Sequence, residues 1–296
     1  MTLPPEAVAA AYLDACLIEL RALKPGNVHD YAAGHAMTVA DFEAAARASA
    51  DVFAQPGLGV GKRIFEAVRR SRAAVDCNVN LGIVLLCAPL AEAALTAPTN
   101  ASFRRGVEAV LARLDRADAE FAFRAIRLAA PGGLGESARH DVRRPATVGL
   151  REAMAEAQTR DRVAHQYEAG FADVFDLGLP RLRAGLARWG DTAWAAAAAY
   201  LGFLAAFPDS HVERKRGPAR AEDVRRRAAP LDALLQAAAD PAALRPALLD
   251  LDAALKREGV NPGTSADLTV ASLFALRLEA ARAGADPALP LPKSGD

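Results

Sequence analysis

The sequence predicts an all-α protein that forms a single compact domain, with an active-site cleft lined by the loops between helices. Apolar residues recur at helical spacing along most of the 296 residues, and no stretch alternates as a half-buried strand would. Turn signals divide the chain into about ten helical segments with short connections. We expect the helical domain to cover residues 1–284 and residues 285–296 to form a flexible tail.

The helices of the first half are marked by their start and stop signals. Pro5 stands where prolines are favoured in a first helical turn. Thr38 with Asp41 matches a capping box, which predicts a helix running to about residue 54. Asp115 is placed to cap a further helix, which the Pro-Gly-Gly turn at residues 131–133 should end.

The second half shows the same kind of signals. Thr147 can cap one long helix over residues 147–171, and Asp191 can cap another that runs to about residue 207. A stripe of leucines at helical spacing follows Pro241. Thr264 opens the last predicted helix.

Composition limits the partners and the compartment. The chain has 36 basic and 36 acidic residues, so a broad electrostatic surface for nucleic acid is not expected. No apolar run is long enough to span a bilayer, and the N-terminus lacks the pattern of a signal peptide. The three cysteines are scattered without metal-binding spacing, which indicates reduced thiols. We expect a cytoplasmic protein with no membrane or nucleic-acid partner.

Five polar segments interrupt the helices: "LKPGNVHDYAAGH" at residues 23–35, "DCNVNLG" at 76–82, "PGGLGESARHDVRR" at 131–144, "PDSHVERKRGPAR" at 208–220 and "NPGTSADL" at 261–268. Each combines turn-forming residues with groups that can bind a phosphate, a metal or a sugar hydroxyl. Sites in helical proteins form where loops and helix ends converge. We therefore expect these five segments to meet at one cleft.

The basic segment is the clearest candidate for binding an anion. Arg214, Lys215 and Arg216 precede Gly217 and Pro218, and Pro218 is expected at the first position of a helix. The free backbone N–H groups of a helix start would add to these cations in holding a phosphate. The alternative is a solvated basic turn without a ligand.

Asp267 allows two interpretations. It stands three residues after Thr264, so the pair could be an ordinary capping box. Asp267 also lies on the same helical face as Val270 and Phe274, which should point inward. A carboxylate on such a face needs a cation, a metal or a hydrogen-bond donor.

More than one interpretation is also open for Asn78, Asn80 and Asp161. Asn78 and Asn80 could cap the apolar helix that follows, or they could bind a sugar or base that Gly82 allows to approach. Arg160 and Asp161 fall inside the predicted long helix, where a surface ion pair is the plainest interpretation.

The segments "KPGNVHD", "NVNLGIVLLCAPLAEAAL", "AIRLAAPGGLG", "HDV", "RDRVAHQYEAGF", "ERKRG" and "NPGTSADL" together resemble the triphosphoribosyl-dephospho-CoA synthase family. Their order and spacing match from about residue 10 to residue 280. The resemblance implies an all-α transferase that moves the ribose of ATP from adenine to a hydroxyl of dephospho-CoA. The triphosphate is kept, and Mg²⁺ is required.

The resemblance also implies which residues form the site. Substrate or nucleotide binding would fall to Lys24, Asn27, His29, Asn78, Asn80, Arg214, Lys215, Asn261 and Thr264. The carboxylates would be Glu19, Asp161 and Asp267 for catalysis, with Asp141 and Asp267 as the metal ligands. The partners would be ATP or another phosphoribosyl donor and a small-molecule acceptor, and a homodimer is one open oligomeric state.

Two motifs depart from the family pattern. The loop reads "KPGNVH" where "KPGLVD" is usual, and "NVNLG" replaces an Asn-Thr-His-Lys-Gly block. This resembles the branch found in archaea and one-carbon-metabolising bacteria, for which a pterin-type acceptor, as in tetrahydromethanopterin biosynthesis, would be suitable. A Mg²⁺-dependent ribosyl or phosphate hydrolase and a non-catalytic helical binding protein are the alternatives.

Overall fold

Four helices form the centre of the molecule: α1 (Pro5–Arg21), α4 (Leu81–Thr96), α10 (Thr192–Ala206) and α14 (Gly263–Arg282). The computed structural model describes residues 1–31, 37–75, 77 and 80–285. Helix α14 packs against each of the other three central helices. Helices α4 and α10 are apolar on nearly every side and each buries eleven residues, as expected for helices enclosed by their neighbours.

The other helices of the described residues surround this centre. They are α2 (Val39–Phe53), α3 (Val60–Ala74), α5 (Phe103–Leu111), α6 (Arg116–Ala129), α7 (Leu150–Ala155), α8 (Arg162–Glu168), α9 (Leu179–Trp189), α11 (Ser210–Arg216), α12 (Pro218–Ala237) and α13 (Arg245–Arg257). A π-helical turn covers Asp173–Gly178 and a 3₁₀ turn covers Pro241–Leu244. One large apolar core joins most of these helices, and a smaller core lies among α10, α12 and α13.

The all-α prediction is confirmed, since the described residues form fourteen α-helices and no strand. Several predicted caps are confirmed as well. Thr38 and Asp41 form a reciprocal capping box at the start of α2. Asp115 caps α6 and Asp191 caps α10, each accepting hydrogen bonds from backbone N–H groups of the first helical turn.

The prediction of one helix over residues 147–171 is wrong, because the chain forms the two short helices α7 and α8 instead. Asp161 is the cap of α8, and its carboxylate accepts a hydrogen bond from the N–H of Val163 at 2.9 Å. Buried Tyr167 donates a hydrogen bond to the carbonyl of Leu85 at 2.7 Å, which fixes α8 against α4. Asp161 is therefore a helix cap and not one half of a mid-helix ion pair.

The basic residues also lie differently from the prediction. Arg214, Lys215 and Arg216 form the last turn of α11 and are not a loop before α12. Helix α12 does begin at Pro218, as predicted, after Gly217 with a φ of 86°. The cations therefore stand at a helix C-terminus, where the helix dipole favours positive charge.

Some predictions concern residues that the structure does not describe. The tail at residues 286–296, Asn78 and part of the segment at residues 23–35 lie outside the described residues. Within the described part of the chain, no helix combines the length and apolar character that crossing a membrane requires.

Candidate active site

A cleft of about 840 Å³ lies where the five polar segments meet. Each segment contributes to its wall, for example through Asn27, Gly82, Gly133, Arg214 and Asp267. The prediction that the segments converge on one cleft is confirmed. The helix ends that carry them bring residues from opposite ends of the sequence into one wall.

The cleft has an apolar side and a polar side. Phe42, Phe123, Ile126 and Met154 contribute to its apolar lining. The polar lining contains three cations, Arg160, Arg214 and Lys215, and six carboxylates, which belong to Glu19, Asp141, Glu156, Asp161, Glu213 and Asp267. Apolar walls with a few converging polar groups are typical of small-molecule sites.

Asp267 stands in the first turns of α14 and opens onto the cleft. Its carboxylate forms no hydrogen bond or ion pair with any residue that the structure describes. A β-carbon at Gly82 would overlap this carboxylate, so the glycine makes the room that Asp267 occupies. Burial raises the pKa of the Asp267 carboxyl well above its ordinary value, and the charges of Asp209 and Glu19 raise it further.

The capping-box interpretation of Asp267 is wrong. Helix α14 begins at Gly263, one residue before Thr264, and no side chain caps it. The hydroxyl of Thr264 instead lies 3.0 Å from the Ser210 hydroxyl and accepts a hydrogen bond from the N–H of His211 at 3.2 Å. Thr264 thus joins α14 to α11 at the cleft wall and leaves Asp267 without a capping role.

Glu19 and Lys24 form a buried ion pair at the end of α1. Lys24 also donates a hydrogen bond to the side-chain oxygen of Asn27 at 3.1 Å, and Asn27 donates to the side-chain oxygen of Asn261 at 2.8 Å. Glu19, Asn27 and Asn261 line the cleft, whereas Lys24 is fully buried behind them. Burial lowers the pKa of Lys24 and raises that of Glu19.

The position of Lys24 corrects the expectation that it contacts a substrate phosphate directly. Its amine has no exposed surface and lies outside the described cleft wall. Its partners show a different role, which is to hold the Glu19 carboxylate and the Asn27 amide in place.

The Lys-Pro-Gly loop is fixed on three sides. The N–H of Gly26 donates to Asp252 at 2.8 Å, and Tyr200 donates to the carbonyl of Pro25 at 2.7 Å. Gly26 has a φ of 83°, and a β-carbon there would come within 2.9 Å of Pro262. Only glycine combines this backbone conformation with the close approach. The Pro-Gly turns at residues 25–26 and 262–263 therefore pack against each other beside the cleft.

His29 lies in a buried polar cluster away from the cleft wall. Its Nε2 is 3.2 Å from Asp252, whose other oxygen is 3.0 Å from Lys256. The N–H of Tyr31 donates to Nδ1 at 3.2 Å, which assigns the proton to Nε2. Burial lowers the pKa of His29. These contacts give His29 a structural role in place of the predicted substrate contact.

Asn80 is buried and donates a hydrogen bond to the hydroxyl of Ser71 at 2.9 Å. It stands at the start of α4 but makes no side-chain capping bond, and it is not part of the described cleft wall. Neither of its predicted roles matches this placement, because the side chain ties α4 to α3.

Asp161 and Arg214 face each other across the cleft wall. Oδ2 of Asp161 is 3.6 Å from the guanidinium of Arg214, which also donates to the carbonyl of Gly132 at 3.2 Å. The Lys215 side chain lies on the same wall and is exposed. Arg214 and Lys215 both line the cleft, and their contact with a phosphate stays a prediction.

A model of the family described as ATP:dephospho-CoA triphosphoribosyl transferase matches residues 5–285. The chain belongs to this family. It is also similar to the crystal structure of an Archaeoglobus fulgidus protein assigned as a triphosphoribosyl-dephospho-CoA synthase, with 25% identity, a TM-score of 0.61 and coverage of 81% of this chain and 98% of that one. No curated protein sequence matches significantly.

Family membership confirms the resemblance seen in the sequence and makes the protein a transferase of the triphosphoribosyl-dephospho-CoA synthase type. The match runs through all five polar segments. The chain therefore matches the family model over nearly its whole length, although its "KPGNVH" and "NVNLG" motifs are altered.

Asp141, predicted as a metal ligand of this transferase, has both oxygens in hydrogen bonds within its own loop. It accepts from the N–H groups of Ser137 and Arg143, each at 2.9 Å, and from the Arg143 guanidinium. The Arg143 side chain and these N–H groups hold the pKa of Asp141 well below its ordinary value. These hydrogen bonds occupy both oxygens of Asp141, so its carboxylate is poorly placed to bind a cation.

Asp209 is a buried residue that reasoning from sequence missed. One carboxylate oxygen accepts from the N–H groups of His211 and Val212, at 3.0 and 3.1 Å. The other accepts from the N–H and the hydroxyl of Ser265, both at 2.8 Å. Asp209 therefore holds the start of α11 against the start of α14. The Pro-Asp-Ser sequence signals a cap for α11, but nothing nearby signals the bond to Ser265.

Proposed function

We propose that the protein transfers the triphosphoribosyl group of ATP to a hydroxyl of dephospho-CoA and releases adenine. The bond between adenine and the anomeric carbon breaks, and a bond forms between that carbon and the acceptor oxygen. The triphosphate stays on the ribose. The acceptor hydroxyl loses one proton and adenine takes one up, so the reaction needs no oxidant or reductant.

The observation that carries this proposal is the carboxylate of Asp267. It opens onto the cleft, has no partner among the described residues, and has a raised pKa. Breaking a ribosyl bond builds positive charge at the anomeric carbon. A carboxyl group with a raised pKa keeps its proton to higher pH and can give it to departing adenine. The carboxylate left behind then faces the positive ribosyl group and stabilises it.

The acceptor proton has two candidate receivers. Glu19 and Asp161 line the same cleft as Asp267. The negative charges of both residues raise the pKa of Asp267, so the three carboxylates act on one another through the cleft. Either Glu19 or Asp161 can serve as the base.

Mg²⁺ stays a prediction, and the cleft fits it as an ion held mainly by substrate phosphates. Among the described residues, no three His, Cys, Asp or Glu side chains form a metal cluster. Mg²⁺ is commonly held by one or two carboxylates together with phosphates and water. Asp161 and Asp267 can each offer an oxygen, and the ion would neutralise the charge of the phosphates.

The apolar side of the cleft suits the less polar parts of the two substrates, and the acidic side suits the reacting sugar. Dephospho-CoA is the acceptor that the family description names. The pterin-type acceptor expected from the sequence departures has no support in the comparisons.

The test is to incubate the protein with ATP, dephospho-CoA and Mg²⁺ and to measure adenine by chromatography and the product by mass spectrometry. We expect adenine release only when dephospho-CoA is present, together with a product that carries the triphosphoribosyl group. A parallel reaction with phosphoribosyl diphosphate in place of ATP checks the donor. Adenine or phosphate released without the acceptor would indicate a hydrolase, and nucleotide binding without turnover would indicate a binding protein.

A further inference from the structure

A second cavity of about 540 Å³ adjoins the main cleft. The two share the wall formed by Arg214 and Lys215 in the last turn of α11. The second cavity extends beyond this wall to Arg216 and Gly259, and we call it the basic cavity.

The charges of the two cavities differ in sign. Three cations, Arg214, Lys215 and Arg216, line the basic cavity, and none of its ten described lining residues is acidic. The main cleft is lined by six carboxylates. A ligand that spans both would therefore meet positive charge at one end and negative charge at the other.

Two of the three cations lack a carboxylate partner among the described residues. Lys215 is exposed and forms no ion pair there, and Arg216 donates only to the carbonyl of Gly259, at 3.0 and 3.2 Å. Partial burial lowers the pKa of Lys215, and the neighbouring charges of Arg214 and Arg216 lower it further. Elsewhere on the surface the arginines of α12 pair with Asp223, Glu222 or Glu258.

A basic helix end is common because cations stabilise the helix dipole, so three cations alone would not make a site. Here a cavity lies beside the three cations, and both Arg216 and Gly259 contribute to its lining. Gly259 has a φ of 64°, and a β-carbon there would come within 2.5 Å of the Arg216 guanidinium. The absence of a side chain at Gly259 leaves room for the Arg216 guanidinium, which donates to the Gly259 carbonyl.

We propose that the basic cavity binds a polyphosphate chain of three phosphates, while the sugar attached to it lies in the acidic cleft beside Asp267. This inference rests on the proposed function, in which the donor keeps its triphosphate throughout. A chain of three phosphates carries several negative charges, which matches a cavity with three cations and no described acid. The shared wall of Arg214 and Lys215 marks the junction between the phosphates and the sugar.

The test uses sodium tripolyphosphate, diphosphate and phosphate as probes in calorimetry, with Lys215→Gln as the main variant. Lys215 is exposed, so its replacement should leave the fold intact. We expect Lys215→Gln to weaken tripolyphosphate binding about tenfold or more, and Lys215→Gln with Arg216→Gln to weaken it further. Arg226→Gln is the matched control, because Arg226 is an exposed cation outside both cavities with Asp223 at 3.9 Å.

Kinetics separate the two substrates that carry phosphates. If the basic cavity holds the donor's triphosphate, Lys215→Gln raises KM for ATP and leaves KM for dephospho-CoA nearly unchanged. An increase confined to dephospho-CoA would overturn the assignment to three phosphates. Equal affinity of the unmodified protein for tripolyphosphate and phosphate would overturn it too.

The inference and the proposed function can fail separately. Unchanged tripolyphosphate affinity in both variants, or equal loss in Arg226→Gln, overturns the basic cavity even if adenine is released as proposed. Tripolyphosphate binding that depends on Lys215, in a protein that releases no adenine with any acceptor, supports the cavity and overturns the reaction.

Discussion

Glu19 and Asp267 are two carboxylates on the wall of one cleft, and the structure treats them in opposite ways. Glu19 is paired with Lys24, which links it through Asn27 to Asn261. Asp267 has no partner among the described residues, although burial raises the pKa of both. A buried carboxylate is costly unless it is paired or protonated.

The difference supports the proposal that Asp267, and not Glu19, is the carboxylate that acts on a ligand. The fold pairs Glu19 with a buried lysine but gives Asp267 no partner among the described residues. Position 82 is a glycine, and a β-carbon there would overlap the Asp267 carboxylate. Local rules of stability are most often broken at functional sites. The contrast predicts that changes at the paired region mainly affect stability, whereas changes at Asp267 mainly affect turnover.

The largest expected effect is on the paired region. Lys24→Met leaves Glu19 buried without its partner, so we expect the free energy of unfolding to fall by about 3–5 kcal/mol. Urea denaturation measures this loss. Lys62→Met is the control, because Lys62 is exposed on α3 and its loss should change stability by at most about 0.5 kcal/mol.

Adding Glu19→Gln to Lys24→Met should recover part of the lost stability, because no unpaired charge is then buried. A Lys24→Met protein that keeps its stability and only binds nucleotide less tightly would contradict the buried pair. That result would favour the direct phosphate contact expected from the sequence.

The next effect concerns turnover. Asp267→Asn removes the proton donor and the negative charge together, so adenine release should slow by on the order of 10²-fold or more. The melting temperature should not fall, since no described residue bonds to this carboxylate and its burial disfavours the charged form that the substitution removes. Rates and melting curves of the same preparation check both statements.

The dependence on Mg²⁺ separates two roles for Asp267. If it acts on the ribosyl bond, the Mg²⁺ concentration for half-maximal rate stays the same in Asp267→Asn. If it is a metal ligand, that concentration rises. A variant that melts early but turns over normally would contradict both roles.

A smaller effect is expected at Asp209, which is fully buried and accepts four hydrogen bonds. Asp209→Asn cannot accept from both N–H groups and Ser265 as the carboxylate does, so the free energy of unfolding should fall by about 1–3 kcal/mol. Adenine release per folded molecule should fall less than tenfold. Asp191→Asn is the control, since Asp191 caps a single helix and asparagine caps as well. A catalytic loss as large as that of Asp267→Asn would remove the contrast.

Much of the fold could be predicted because its signals are local. The caps at Thr38, Asp115 and Asp191 act within one helical turn, and the polar segments stand out against apolar helices. The break between α7 and α8 has a local signal as well, since Asp161 caps α8 by accepting from the N–H groups of Val163 and Ala164. The helical pattern on both sides of Asp161 hides this signal in the sequence.

The site could be predicted only in outline. The sequence pattern predicted that Asp267 lies on an inward helix face. It could not show that Lys24 forms an ion pair with Glu19, or that Asn27 bonds to Asn261, 234 residues away. Asp209 likewise bonds to Ser265 in a second helix, 56 residues further along the chain. Which ionisable groups are paired depends on contacts of this kind, and pairing is what distinguishes Lys24 from Asp267.

The last prediction concerns pH. Because the pKa of Asp267 is raised by folding, the folded protein holds a proton that the unfolded chain releases above a pKa of about 3.9. The stability that Asp267 contributes is therefore complete below that value and declines as pH rises toward the folded pKa. Asp267→Asn has no such proton, so its stability relative to the unmodified protein should rise by about 1.4 kcal/mol per pH unit in this window. Urea denaturation of both proteins at several pH values between 4 and 8 measures the difference.

Asp41 gives a control of opposite sign for this experiment. The N–H and the hydroxyl of Thr38 lower the pKa of Asp41 in the folded protein. Its contribution is present above the unfolded pKa and is lost as pH falls through the folded value, so Asp41→Asn should lose stability relative to the unmodified protein as pH rises from acid toward neutral. A stability difference for Asp267→Asn that stays flat with pH would show that the folded protein keeps this carboxylate ionised. In that case a cation, and not a proton, neutralises Asp267, and the role of metal ligand would replace that of acid.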